Sequence, residues 1–150
     1  MTLEERVNQD IKTAMKAKDQ AGLRGLRAIK SAILLAKTDG SGLALNEERE
    51  IKMLQKLVKQ RKDSLDIYTQ QSREDLATKE KEEIAVIEKY LPAQIGADEL
   101  AAIIKGIIEQ TGASSMRDMG KVMGMASKQL AGQADGKTIS GVVKQLLSGN

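Results

Sequence analysis

The chain contains no cysteine and no histidine. It therefore has no disulfide, thiolate nucleophile or imidazole base, and none of the common zinc ligands, which excludes much enzyme chemistry. Aromatic residues are nearly absent: Tyr68 and Tyr90 are the only ones. A core must then be assembled from Leu, Ile, Val, Met and Ala, which fill helix interfaces, and a β-sandwich or barrel is disfavoured. Long apolar runs are missing too. No segment approaches the roughly 20 apolar residues that cross a bilayer, and the opening Met1-Thr-Leu-Glu-Glu-Arg-Val7 is acidic and amphipathic. The expectation is a cytoplasmic protein that engages no membrane.

What is present suits helices. The 150 residues are 41% hydrophobic, enough for one ordinary domain or two small ones. Lys and Arg number 24 against 21 Asp and Glu, a nearly balanced surface whose net charge of +3 does not by itself imply a nucleic-acid partner. No segment is a basic arm.

Periodicity and capping residues divide the chain. Thr2 with Glu5 forms a capping-box pattern, and Leu3, Val7, Ile11 and Met15 recur at four-residue steps, predicting a first helix to about Lys18. Asp19 caps a second helix that stops before Thr38-Asp-Gly-Ser-Gly42. Asn46 opens a long third helix to about Gln71, with Ile51, Leu54, Val58, Leu65 and Tyr68 on one stripe and Arg61 where another apolar residue belongs. A break at Ser72 opens the fourth, where Ala77, Ile84, Ile87 and Leu91 keep the spacing and Glu80 is the odd member. The short connection favours an antiparallel hairpin, placing Arg61 level with Glu80 to Glu83. Arg61 then either pairs with Glu80 or Glu83 inside the seam or lays its stem there and lifts its guanidinium into water.

Pro92 is the only proline and disfavours helix at Leu91, so a boundary is expected between Leu91 and Gly96. Beyond it, shorter apolar runs separated by glycines predict helices at about 97 to 110, stopped by Gly112, at about 115 to 131 with a break near Gly120, and at about 137 to 147. Ser115 with Asp118, and Asp135 before Gly136, are the expected N-caps.

The motifs carry little chemistry by themselves. Gly132-Gln-Ala-Asp-Gly136-Lys137-Thr138 has three residues between its glycines where a phosphate loop has four, and a helical pattern rather than a buried strand precedes it. Gly120-Lys-Val-Met-Gly124 has the spacing of a close helix crossing. Two glycines inside a helix cost roughly 1 kcal/mol each relative to Ala, so a neighbouring helix or a ligand backbone must need the space. Lys52, Lys56 and Lys59 form a basic stripe that lacks an interleaved stacking platform. Paired-carboxylate catalysis has no specific support.

Four segments, in order, resemble the GatB/YqeY family: Leu23-Arg-Gly-Leu-Arg-Ala-Ile-Lys-Ser-Ala-Ile33, Lys59-Gln-Arg-Lys-Asp-Ser64, Tyr90-Leu-Pro92, and Asp118-Met-Gly-Lys-Val-Met-Gly124 followed by Gly132-x-Ala-Asp-Gly136. The first three are similar to free-standing YqeY-like proteins, and the last also resembles the tail of the B subunit of the tRNA-dependent amidotransferase. The resemblance implies an all-α chain with an N-terminal helical domain over 1–92, containing the long hairpin, and a three-helix tail domain over 93–150. In the amidotransferase the tail helps hold mischarged tRNA while other parts perform ATP-dependent activation and ammonia production. The implied role is a non-catalytic accessory protein that binds tRNA or associates with an amidotransferase, and no cofactor is expected. Arg117, Lys121, Lys128, Lys137 and Lys144, the tail's cations nearest the matching motifs, are the phosphate-contact candidates. Arg61, Glu80, Glu83, Pro92, Gly120, Gly124 and Gly136 are the structural ones. The alternatives are a helical protein-interaction module without RNA binding and, by family label alone, a carbon-nitrogen ligase using glutamine as amido donor.

Overall fold

Capping chemistry sets most helix boundaries. The computed structural model describes residues 1–42 and 44–148. Among the described residues it contains seven α-helices, one 3-10 turn and no strand: α1 Leu3–Lys16, α2 Gln20–Lys37, α3 Glu47–Gln70, α4 Glu74–Glu88, α5 Ala97–Thr111, the turn Met116–Asp118, α6 Met119–Gln129 and α7 Gly136–Leu147. The protein is all-helical. Thr2 and Glu5 close a reciprocal capping box on α1, Asp19 accepts from the Gly22 amide at 2.9 Å to cap α2, and Asn46 accepts from the Arg49 amide at 2.9 Å to cap α3. Gly112, with φ +70°, ends α5 in the left-handed conformation that glycine adopts without penalty.

Two expectations shift. On α1, Ala14 is buried and Met15 is 56% exposed, because steps of four advance about 40° each and have rotated off the core face by Met15. Ala14, eleven residues from Leu3, returns to within about 20° of it. α4 stops at Glu88 and not at Leu91, since Leu91 precedes Pro92; the amides of Tyr90 and Leu91 instead close turns onto the carbonyls of Ile87 and Glu88.

The chain forms two compact units, Met1–Leu91 and Pro92–Asn150. In the first, α4 packs against both α2 and α3, and α1 covers α2. Val7, Ile29, Ile33, Leu54 and Ile87 lie at the centre, each no more than 1% exposed. Gly25 permits the approach of α2 to α4: a Cβ there would lie 2.7 Å from both Cβ and Cγ1 of Val86. One residue away, Arg24 Nη2 meets Glu82 Oε2 at 2.6 Å.

Arg61 lies across the α3–α4 seam. Its Nη1 donates to the Leu57 carbonyl at 3.1 Å and its Nε stands 3.9 Å from Glu83 Oε1, with both side chains 18% exposed. The guanidinium therefore stays on the seam. Burial, then the Glu83 charge, raise the Glu80 carboxyl above its ordinary range, and Arg61 only partly offsets them. Lys62 faces Glu88 at 3.7 Å as a second cross-hairpin pair.

In the second unit, α5, α6 and α7 close on Leu100, Ile104, Val122, Ala126, Ile139 and Val143. Pro92 opens this unit. Its carbonyl and that of Gly132 both accept from Gln94 Nε2, at 2.9 and 2.8 Å, while the Ile95 amide donates to the Gln133 carbonyl at 3.0 Å. The entry segment is thereby tied to the α6–α7 connection.

Two measurements check this packing. Gly25→Val should lower stability by about 1–3 kcal/mol through overpacking, and Val86→Ala in the same chain should recover part of the loss; a wild-type melting temperature for the single variant would refute the close approach. Glu80 binds its proton more tightly folded than unfolded, so its penalty is present at neutral pH and vanishes as pH falls through the carboxylate range. Glu80→Gln should therefore raise the melting temperature at pH 7 and not at about pH 3, and an equal gain at both would count against the assignment.

Candidate nucleic-acid interface

The segment Asp118 to Gly124 is organised by its acid. Ser115 caps the 3-10 turn, and the Asp118 carboxylate accepts from the amides of Ser114 at 2.9 Å and Ser115 at 3.3 Å. Those two hydrogen bonds, Ser114 first, hold Asp118 below the usual carboxylate range. The helix break expected near Gly120 falls here, where the turn gives way to α6 at Met119. Asp135 likewise accepts from the Thr138 amide at 2.6 Å and caps α7, which begins at Gly136. Both carboxylates between Met116 and Ser148 are thus engaged in shaping backbone.

The five candidate cations all lie in this stretch. Arg117 is on the 3-10 turn, Lys121 and Lys128 are on α6, and Lys137 and Lys144 are on α7; all five are exposed, and none makes an ion pair among the described residues. Lys121 and Lys128 are seven residues apart, as are Lys137 and Lys144. Each pair therefore shares a helix face at a rise of about 10 Å.

The glycines between them do not pack. Gly120 and Gly124 are exposed, and a Cβ on either would meet nothing within 4 Å; the same holds for Gly141 and Gly136. The close helix crossing expected for Gly120 and Gly124 is not made inside the unit, because Val122 and Ala126 take the buried face of α6 and the glycines fall opposite. Gly124 lies between Lys121 and Lys128, and Gly141 between Lys137 and Lys144. Each helix consequently presents two cations separated by bare backbone.

Sequence reasoning missed a second feature. In the first unit, an open cleft of about 360 Å³ lies among the end of α1, the start of α2 and the end of α4. Tyr90 forms one wall, its hydroxyl donating to the Asp10 carboxylate and the Arg6 guanidinium sitting 5.1 Å from its ring centroid. Burial, followed by the hydrogen bond to Asp10, pushes the Tyr90 phenol well above its ordinary pKa. One of only two tyrosines in the chain was the available signal. The partners that make it a wall come from α1, some eighty residues away in sequence, and no local pattern points to them. Among the described residues no cluster of acidic side chains could hold a metal ion, and no helix is long and apolar enough to cross a membrane.

Comparison with known proteins places the chain. A family model described as Yqey-like protein matches residues 4–147. The protein named altered inheritance of mitochondria protein 41, mitochondrial, from Kluyveromyces lactis is 32% identical over 140 residues, covering 92% of this chain and 72% of that one. The protein of the same name from Pyrenophora tritici-repentis is 26% identical over 146 residues, covering 95% and 79%. That from Saccharomyces cerevisiae is 37% identical over 82 residues, covering 55% of this chain and 44% of the yeast protein. These relatives overturn the expectation of a cytoplasmic protein, since they are named as mitochondrial. That expectation rested on the lack of a long apolar run, which excludes a helical membrane span and does not distinguish one aqueous compartment from another. A match over nearly the whole length, on an all-helical chain, decides the family: the chain belongs to the YqeY-like family.

Proposed function

We propose that this chain is a non-catalytic accessory protein that binds tRNA through phosphate contacts made by α6 and α7, with Arg117, Lys121, Lys128, Lys137 and Lys144 as the contacting cations. The observation that carries this reading is that those five side chains are exposed and make no ion pair among the described residues, beside glycines at which an added Cβ would meet nothing within 4 Å. In the first unit Arg24, Lys37, Arg49, Lys52, Arg61, Lys62 and Arg73 are each engaged by a carboxylate, whereas in the second no cation is so engaged among the described residues; what sets the five apart from the other exposed cations of the chain is their spacing about Gly124 and Gly141. A bare backbone between two lysines lets a phosphodiester chain approach the helix closely. The second unit has no aromatic residue, so base stacking contributes nothing and the contacts are to the backbone of the RNA.

Titration of labelled tRNA over a range of salt concentrations tests this. Binding should weaken steeply as salt rises through counterion release, and each Lys→Ala change at 121, 128, 137 or 144 should reduce the slope of log K against log salt by about 1. Gly124→Ala provides a separate arm: it should stabilise the fold by about 0.5–1 kcal/mol and nonetheless weaken tRNA binding. Failure to bind tRNA at low salt, or undiminished binding by the lysine variants, would overturn the reading.

A further inference from the structure

The cleft in the first unit is balanced in formal charge, and its acids differ from its cations in what engages them. Two carboxylates and two cations line it. Asp10 accepts from the Tyr90 hydroxyl, and Asp19 is turned onto the Gly22 amide at 2.9 Å. Gly22 makes that turn possible, because a Cβ there would stand 2.3 Å from Asp19 Oδ2. Both acids are therefore engaged by the protein's own donors. Arg6 and Lys89 have no carboxylate partner among the described residues, and Arg6 meets Tyr90 through the ring face, leaving its N–H fork open. α2 starts at the cleft while α1 and α4 end beside it, so the helix ends supply no net attraction for an anion and any such attraction comes from the Arg6 and Lys89 side chains. Ala14, Ala17, Leu26 and Val86 form the apolar part of the lining, with Thr13 beside them. The volume lies within the range of about 300–1,000 Å³ that small-molecule sites occupy.

We propose that this cleft binds a small organic anion, a carboxylate or phosphate monoester carrying a short apolar body, with Arg6 and Lys89 holding the anionic group and the Ala14, Ala17, Leu26 and Val86 surface covering the rest. Nothing in this site depends on the RNA contacts assigned to α6 and α7.

Tyrosine fluorescence reads the site directly. In a Tyr68→Phe chain, Tyr90 is the sole fluorophore. Hexanoate and hexyl phosphate should each produce a saturable change in its emission, confirmed by calorimetry, while hexylammonium should not. Arg6→Gln with Lys89→Gln should weaken both anions by about ten-fold or more, and Ala17→Leu, which fills the cleft and leaves the charges alone, should weaken them without lowering the melting temperature. Sedimentation with anionic phospholipid vesicles separates a free anion from a lipid headgroup and should leave the protein in the supernatant. Hexanol binding as tightly as hexanoate, undiminished binding by the Arg6 and Lys89 variant, absence of saturation by either anion, or co-sedimentation lost in that variant would each overturn the proposal.

Discussion

The first unit depends on the close approach of α2 to α4 at Gly25 and Val86. With no tryptophan or phenylalanine to span a gap, the helices must come together until Leu, Ile and Val side chains interdigitate. Bare backbone at Gly25 lets that happen. It also brings Arg24 onto Glu82 and leaves α4 free to carry α3 on its other side. The same stacking delivers the end of α4 to α1, where Tyr90 finds Asp10 and Arg6. A single missing Cβ thus bears on the core, on a cross-helix ion pair and on the walls of the cleft.

What was legible in the sequence was what lies within a few residues along the chain. Thr2 with Glu5, Asp19, Asn46, Ser115 with Asp118, and Asp135 announced helix starts because a cap bonds to an amide two or three residues on. Gly112 announced a stop by the same local logic. Met15 misled because a four-residue step imitates the helical repeat for two turns and then drifts. The role of Gly25 was not legible, although it stands in a segment that carries the family resemblance, since its reason is Val86 on another helix. The cleft was invisible for the same cause. Arg61 marks the boundary: periodicity placed it on the seam, yet only the fold distinguishes a guanidinium near Glu83 from one lifted into water.

Compartment was not legible at all, because no packing interaction in this chain depends on it. The physical reading and the family comparison therefore answer different questions. The comparison supplies membership and relatives that are named as mitochondrial, whereas residues and distances supply the surfaces on which a function has to act.

The second unit makes that division concrete. Its 59 residues close three helices on a small aliphatic core, and a unit of that size buries a modest share of its surface and is marginal in stability. It nevertheless keeps exposed glycines within α5, α6 and α7, at Gly106, Gly120, Gly124 and Gly141, where an added Cβ would meet nothing within 4 Å beyond the neighbouring backbone of its own helix. Alanine at any interior position among these would strengthen the helix at no packing cost. Stability therefore does not account for the glycines on α6 and α7, and neither does packing inside the unit. Gly124 and Gly141, each flanked by two lysines on the same helix, are where the proposed phosphate contacts would use that bare backbone, because the flanking charges suit an approaching anion.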